Sequence, residues 1–406
     1  MKKFLCGLTL GIISFISPVH AQNLGLVPNF FTNDVSVIDI ENDTVIGTLA
    51  APTGPNSVTW LPDCSEVIVG SLTGGSFFIY DFDGNDFLFD RSVDVDFVIR
   101  GMAVTPDQTE LWLADQTNGD VKIYDVASYS LIDSIDIGSG ESQFFVVGGA
   151  WDIDITPNGQ KAIATNASDG TMSIIDVATH AITSSFSTGT MTDNEAREGN
   201  MSSDGSRYAL TNDFGRSVQV FDVANEVLIT TIDVGFRASD VRWDFNDERI
   251  FVGGNLGNNF TVLNSDIVLD EYSIDTTVSL PGEFLTLIDI TPDGSKLLTV
   301  HSGTADLVNV IDPLNFSVQN QISVGNNPGG LGLFIKPSPF ICQQDTLMIS
   351  EFTRPVYHAK EVLIATDLAN SNDILELKAA DKIELKNSFE IALGSEVILT
   401  IEECPN

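Results

Sequence analysis

Acid–base and metal chemistry near neutral pH falls first to histidine and cysteine, and the 406-residue chain has only four of each. The histidines are His20, His180, His301 and His358, each in a different region, and the cysteines are Cys6, Cys64, Cys342 and Cys404. So wide a dispersal excludes a histidine-rich copper centre. There is no Cys-x-x-Cys-His, which excludes covalently attached haem. A Gly-x-Ser-x-Gly elbow and a phosphate-cradling glycine loop are also missing from the sequence. No cofactor and no metal-ligand set is therefore expected. His301 follows a β-rich run and reads as a loop residue, and it is the one histidine placed to face a mouth formed by such loops.

Arginines carry more information, because Lys and Arg together number 19 against 57 Asp and Glu. Arg100 and Arg197 each stand seven residues before a turn aspartate, Asp107 and Asp204, and Arg237 stands near the same place in a third segment. Two long loops, Ile137 to Ala150 and Thr188 to Ala196, lead into the same places and bring Phe144, Phe145 and Trp151. An apolar rim with guanidinium groups fits a polar or anionic ligand. The expected contact set is Arg100, Trp151, Arg197, Glu198 and Arg237, acting in recognition rather than proton transfer. Pairing of these arginines with Glu198, Asp152 and Asp240 is the competing, purely structural account. The stretch Asp81-Phe82-Asp83-Gly84-Asn85-Asp86, with Asp90, has oxygen-rich spacing but not the EF-hand order, so it reads as a solvated hairpin.

The elements that must position these residues are repeats. A short apolar run ending in Asp recurs at Val37-Ile38-Asp39, Ile79-Tyr80-Asp81, Ile123-Tyr124-Asp125, Ile174-Ile175-Asp176, Val220-Phe221-Asp222 and Val310-Ile311-Asp312, with Val262-Leu263-Asn264 filling the missing place. Interleaved with it are turn signals such as Thr105-Pro106-Asp107, Thr156-Pro157-Asn158-Gly159 and Thr291-Pro292-Asp293-Gly294. Asp39 and Asp312 are six intervals apart, a period of about 45 residues, which is the length of a four-stranded propeller blade. An all-β, seven-bladed β-propeller is predicted over residues 22–339. Leu26-Val27-Pro28-Asn29 stands before Val35 as Ala209 to Asn212 stands before Val218, so the chain enters a blade at its second strand. The innermost strand of that blade must then come from Gly330 to Ile335, closing the ring and removing open edges.

These repeats resemble the YVTN-type β-propeller repeats of secreted and surface-layer proteins, most plainly at Thr211 to Asp222 with Thr230 to Gly235, and at Thr165 to Asp176. The resemblance implies the fold, and a group that includes binding and scaffold proteins and lies near seven-bladed lactonases.

Lys2 and Lys3, the apolar run Phe4 to Ile16, and the ending Val19-His20-Ala21 read as a signal peptide over residues 1–21. The run is too short to span a bilayer, which takes roughly 20 residues. The address expected is extracellular, outer-surface or periplasmic. A formal charge of −38 excludes nucleic acid as a partner.

After Pro337 and Pro339 both repeat markers stop, and residues 340–406 are expected as a small stacked-β domain. Tyr357-His358-Ala359, Leu377-Lys378-Ala379, Ile383-Glu384-Leu385, Ser388-Phe389-Glu390 and Gly394 to Val397 resemble the coathanger-stack domain of exported Bacteroidota proteins. Cys342 and Cys404 bracket this domain and are expected as a disulfide, with Cys64, at a turn position, outside it. Two functions stay open on the sequence: a binding or scaffold protein of the cell envelope, its partner a protein, glycan or small molecule, or a lactonase-like hydrolase at the propeller mouth. Convergence of titratable side chains on the ring axis is the observation that separates them.

Overall fold

The computed structural model describes residues 24–331 and 335, apart from 74, 141–147, 189–195, 245, 255–256, 305, together with the backbone of short strands between 346 and 401. Six consecutive four-stranded antiparallel sheets, running from Pro55 to Ser323, form blades 1 to 6. Blade 7 begins as the three-stranded sheet Leu24–Asn29, Asp34–Asp39 and Thr44–Ala50. Its inner strand comes from the far end of the propeller, through bridges of Gly25 to Ile335 and Asn29 to Pro328. The protein is a seven-bladed β-propeller closed by strand exchange between its two ends, and no helix occurs among the described residues.

Each sequence marker has a local physical cause. The aspartate ending the third strand caps the hairpin to the fourth: Asp125 accepts from the Ser128 amide at 2.8 Å, Asp176 from Thr179 at 2.9 Å, and Asp222 from Asn225 at 2.8 Å. In blade 5, where Asn264 holds the marker place, the strand runs on to Asp266, and that residue caps Val268 and Leu269 instead. The Thr-Pro-Asp turns are tied by their first hydroxyl, as when Thr156 accepts the Lys161 amide at 3.0 Å and Thr291 the Lys296 amide at 2.9 Å. One residue of each such turn is left-handed. Glycine supplies it at Gly159 (φ 66°), whereas Cys64 holds φ 61° and is buried, its sulfur 4.0 Å from the Pro62 carbonyl.

Second strands are sandwiched between neighbouring blades and buried almost throughout, as in Glu110–Asp115, while outer strands such as Thr44–Ala50 face solvent. The N-terminal strands join the ring on both sides: Leu24, Leu26 and Val35 pack with Val58, Trp60 and Val67 of blade 1. Val27, Ile38 and Ile40 pack with Leu298, Val300 and Val310 of blade 6.

A polar clamp repeats outside this core. The residue that opens, or immediately precedes, the second strand of one blade reaches the last hairpin of the next. Glu66 accepts the Tyr129 hydroxyl, His180 Nε2 lies 3.1 Å from Glu110, Lys161 pairs with Glu226 at 2.8 Å, and Arg207 with Asp270 at 2.9 Å. Arg249 donates to the Pro313 carbonyl at 2.6 Å, and Lys296 pairs with Asp43 at 2.6 Å across the closure. His180, in the hairpin between Thr171–Asp176 and Ala181–Ser187, is one of these clamps, its Nδ1 also 2.8 Å from Asp133.

Beyond the propeller, the strands Val356–Ala359, Ile374–Ala379 and Glu396–Ile401 pair in parallel, as do Thr346–Ile349, Val362–Ala365 and Lys382–Leu385. Cys342 and Cys404 lie outside the described residues, as do Phe144 and Phe145.

Candidate functional site

Inner strands of blades 1 to 6 each carry an irregularity near their entry: between Pro55 and Ser57, Ile99 and Met102, Ala150 and Ile153, Ala196 and Gly199, Ala238 and Asp240, and Leu285 and Leu287. A bulge lifts residues out of the ladder and re-aims their side chains. The lifted residues Asn56, Arg100, Trp151, Arg197, Glu198, Ser239 and Thr286 all line one cavity of about 290 Å³, closed on its seventh side by Asn327 to Leu331 and by Phe30. Four of the five expected contact residues therefore meet.

Arg237 does not line this cavity. It precedes the strand Ala238–Trp243, two positions short of Ser239, and its guanidinium pairs with Asp213 at 2.7 Å and lies 4.2 Å from the Phe214 ring centroid. His301 is also corrected: it lies inside the strand Leu297–Ser302, fully buried, with Nε2 3.0 Å from the Thr299 hydroxyl. Burial pushes it down to about 4, so it is a neutral core histidine. The Asp81 to Asp86 stretch is an exposed hairpin in which Asp83 accepts the amides of Asn85 and Asp86, both at 2.9 Å.

At the cavity wall two cations lie against the Trp151 indole, with the Arg100 and Arg197 guanidinium carbons 4.0 and 4.7 Å from its ring centroid. Gln116 accepts from Arg100 Nε at 2.8 Å, and the fully buried Asp213 holds Arg197 at 2.8 Å. Among the residues lining the cavity, Asn56 Nδ2, Trp151 Nε1, Glu198 Oε2 and Ser239 Oγ are buried polar atoms with no partner among the described residues. Such atoms are costly in a protein interior unless water or a ligand completes them.

Below the cavity the axis holds a charge cluster. Arg242, 6% exposed, lies 3.3 Å from Asp240 and 3.7 Å from Asp289, and its charge also acts on Asp152, Asp154 and Glu198. These carboxylates latch inner strands together: Asp152 accepts the Gly199 amide at 3.0 Å, Asp240 that of Ile288 at 2.6 Å, and Asp289 that of Ile335 at 3.3 Å. Burial pushes Asp152 and Asp289 up to about 6 against the pull of Arg242. Burial, reinforced by Asp240 and Asp152, holds Glu198 well above the usual carboxylate range. The spacing 152/154 and 240/242 was the available signal, since alternate residues of a strand share a face.

No family model and no curated protein matches the chain. Solved propellers do. A functionally unknown protein from Desulfotomaculum acetoxidans is 14% identical with a TM-score of 0.66, over 78% of this chain and 100% of that one. The periplasmic gluconolactonase of Pseudomonas aeruginosa is 19% identical with a TM-score of 0.64, over 75% and 97%. A candidate 6-phosphogluconolactonase from Bacteroides fragilis is 15% identical with a TM-score of 0.63, over 77% and 98%. At these identities the likeness is one of fold, and function has to be argued from the site.

Proposed function

We propose that the protein is an exported binding module of the cell envelope that holds a small organic anion in the cavity at the propeller mouth. The signal-like N-terminus and the resemblance of the C-terminal region to coathanger-stack domains support the address. The observation that carries the binding reading is the pair of guanidinium groups set against Trp151 in one cavity. A chain of charge −38 repels anions over most of its surface, so cations placed together by inner-strand bulges provide local attraction where the rest of the molecule provides none. Calorimetric titration with gluconate, glucuronate and inorganic phosphate tests this. Binding of a carboxylate ligand that falls at least tenfold in Arg100→Gln and Arg197→Gln supports the reading, and binding by none of the three overturns it.

A second reading, hydrolysis of a lactone by water, is favoured by the juxtaposition of Glu198 and Asp240 beside that cavity and by the fold shared with the gluconolactonase. Water would add to the ring carbonyl, the ring C–O bond would break, and the proton would pass to the leaving alkoxide. Acid release from gluconolactone above the spontaneous rate, abolished in Glu198→Gln, would favour this reading. Binding is preferred because the groups set against Trp151 in the cavity are two guanidinium groups, which recognise an anion and do not abstract a proton.

A further inference from the structure

We infer that the cavity takes a carboxylate with a short apolar body, its charge held by Arg100 and Arg197 and its hydrocarbon laid against the wall that blades 7 and 1 build. The inference rests on the binding reading above and names the class of anion.

The cavity has two unlike sides. Blades 2, 3 and 4 supply Arg100, Trp151 and Arg197 in turn, so the positive charge is gathered on one side of the ring. Across the axis the lining is mostly that of Pro55 and Leu72 of blade 1, Phe30 of blade 7, and Pro328 and Leu331 of the segment that closes the ring, side chains with neither charge nor hydrogen-bond donor.

Main-chain bonds fix that wall in place. The Leu331 amide donates to the Asn56 carbonyl at 2.8 Å, the Leu331 carbonyl accepts the Val58 amide at 3.2 Å, and the Phe30 amide donates to the Asn327 carbonyl at 3.1 Å. So close an approach needs the two glycines between Pro328 and Leu331. A Cβ at Gly330 would stand 2.6 Å from the Asn56 carbonyl oxygen, and one at Gly329, where φ is 153°, 2.8 Å from the Thr286 hydroxyl. Leu331 is buried in one cluster with Trp151 and Ala167. The Phe30 ring meets Phe31 edge to face at 5.2 Å, and Phe31, 65% exposed, carries the apolar surface outward. A surface built in advance needs little ordering when a ligand arrives.

Size and polarity narrow the ligand. A volume of about 290 Å³ is at the low end for small-molecule pockets, roughly 300 to 1,000 Å³, and admits only a short body. A polyhydroxylated acid would need donors and acceptors along the wall. Asn56 Nδ2 and Ser239 Oγ are buried rather than presented to the open volume, and the Thr286 hydroxyl lies 3.2 and 3.1 Å from the Val300 and Pro328 carbonyls. Hydroxyl groups set against that wall lose water without gaining partners, whereas each methylene set there gains about threefold in affinity.

Calorimetric titration of the full chain with sodium acetate, butyrate, hexanoate and gluconate tests this. Affinity should rise along the three alkanoates by roughly tenfold for each pair of methylenes added. Gluconate should bind, held by its carboxylate alone, and hexanoate at least tenfold more tightly. Arg100→Gln should weaken both ligands at least tenfold. Leu72→Ser and Phe30→Ser, each checked by thermal unfolding, should weaken hexanoate at least threefold more than gluconate. With gluconate bound, an affinity that stays flat along the alkanoates, or gluconate binding as tight as that of hexanoate, overturns the inference while leaving the pocket reading intact. Wall variants that weaken hexanoate and gluconate alike do the same. Binding of neither hexanoate nor gluconate, glucuronate or inorganic phosphate overturns the inference together with the pocket reading.

Discussion

Replacing Arg242 with Met removes the one buried cation of the axial cluster while keeping most of its volume. In the native protein Arg242 stands 3.3 Å from Asp240 and 3.7 Å from Asp289 and lowers the proton affinity of Asp152, Asp154 and Glu198. Removing one partner of a buried ion pair costs about 3 to 5 kcal/mol, because the other charge stays desolvated and unneutralised. That cost depends on pH here. Asp152 and Asp289 titrate at about 6 in the folded protein, so at alkaline pH both are ionised and lose their countercharge in the variant. Below about pH 5 Asp152 and Asp289 are largely protonated, so the variant leaves fewer buried charges without a partner and costs less. Urea unfolding of Arg242→Met and of the unaltered protein at about pH 5 and pH 8 should show the larger loss at the higher pH, by roughly 2 kcal/mol or more. Equal losses at the two pH values would refute the charge argument and leave only packing.

The unaltered protein should itself be more stable near pH 5 than near pH 7.5. Asp152, Asp247 and Asp289 have folded values raised to about 6. Their contribution is full below the unfolded carboxylate value and is lost as pH rises through 6, which outweighs the opposite effect of His301 alone; a melting temperature that rises from pH 5 to 7.5 would contradict this. Lys296→Met should cost about 1 kcal/mol, because its ammonium donates at 2.6 Å to the Ile40 carbonyl and pairs with Asp43 across the closure, a figure discounted for partial exposure; thermal unfolding would measure it. Deleting residues 22–50 should abolish cooperative unfolding of the propeller, since three strands of blade 7 and the fully buried Leu24, Leu26, Val35 and Ile38 go with them, each worth about 1.5 to 3 kcal/mol of burial; a soluble truncation with a single sharp transition would overturn the closure. Peptide mapping of unreduced protein should recover Cys342 and Cys404 linked, and recovery of Cys64 linked to either would refute that pairing.

What could be read along the chain was whatever is enforced locally. A hairpin aspartate caps amides two or three residues away, and a turn threonine ties a residue five further on, so both leave spacings that recur from blade to blade whether or not the ring is known. Closure was legible for the same reason, since Leu26 to Asn29 stands before its marker as other second strands stand before theirs. The site was legible only to within two residues. Arg100 and Arg197 are the second residues of their inner strands, and Arg237 sits just before its own, so the bulge turns Ser239 into the cavity and leaves Arg237 with Asp213 and Phe214. Arg237 lies two positions before the place held by Arg100 and Arg197, outside the bulge, and no spacing rule accurate to a residue or two can decide which residue a bulge lifts. The axial cluster was hidden differently. Among 57 acidic residues, Asp152, Asp240 and Asp289 differ from the solvated ones only in lying on strands whose alternate faces meet at an axis, which becomes visible only when seven repeats close on one another. The same closure concentrates those carboxyls around a single guanidinium, and burial among them raises the proton affinity of Glu198, which reaches the cavity.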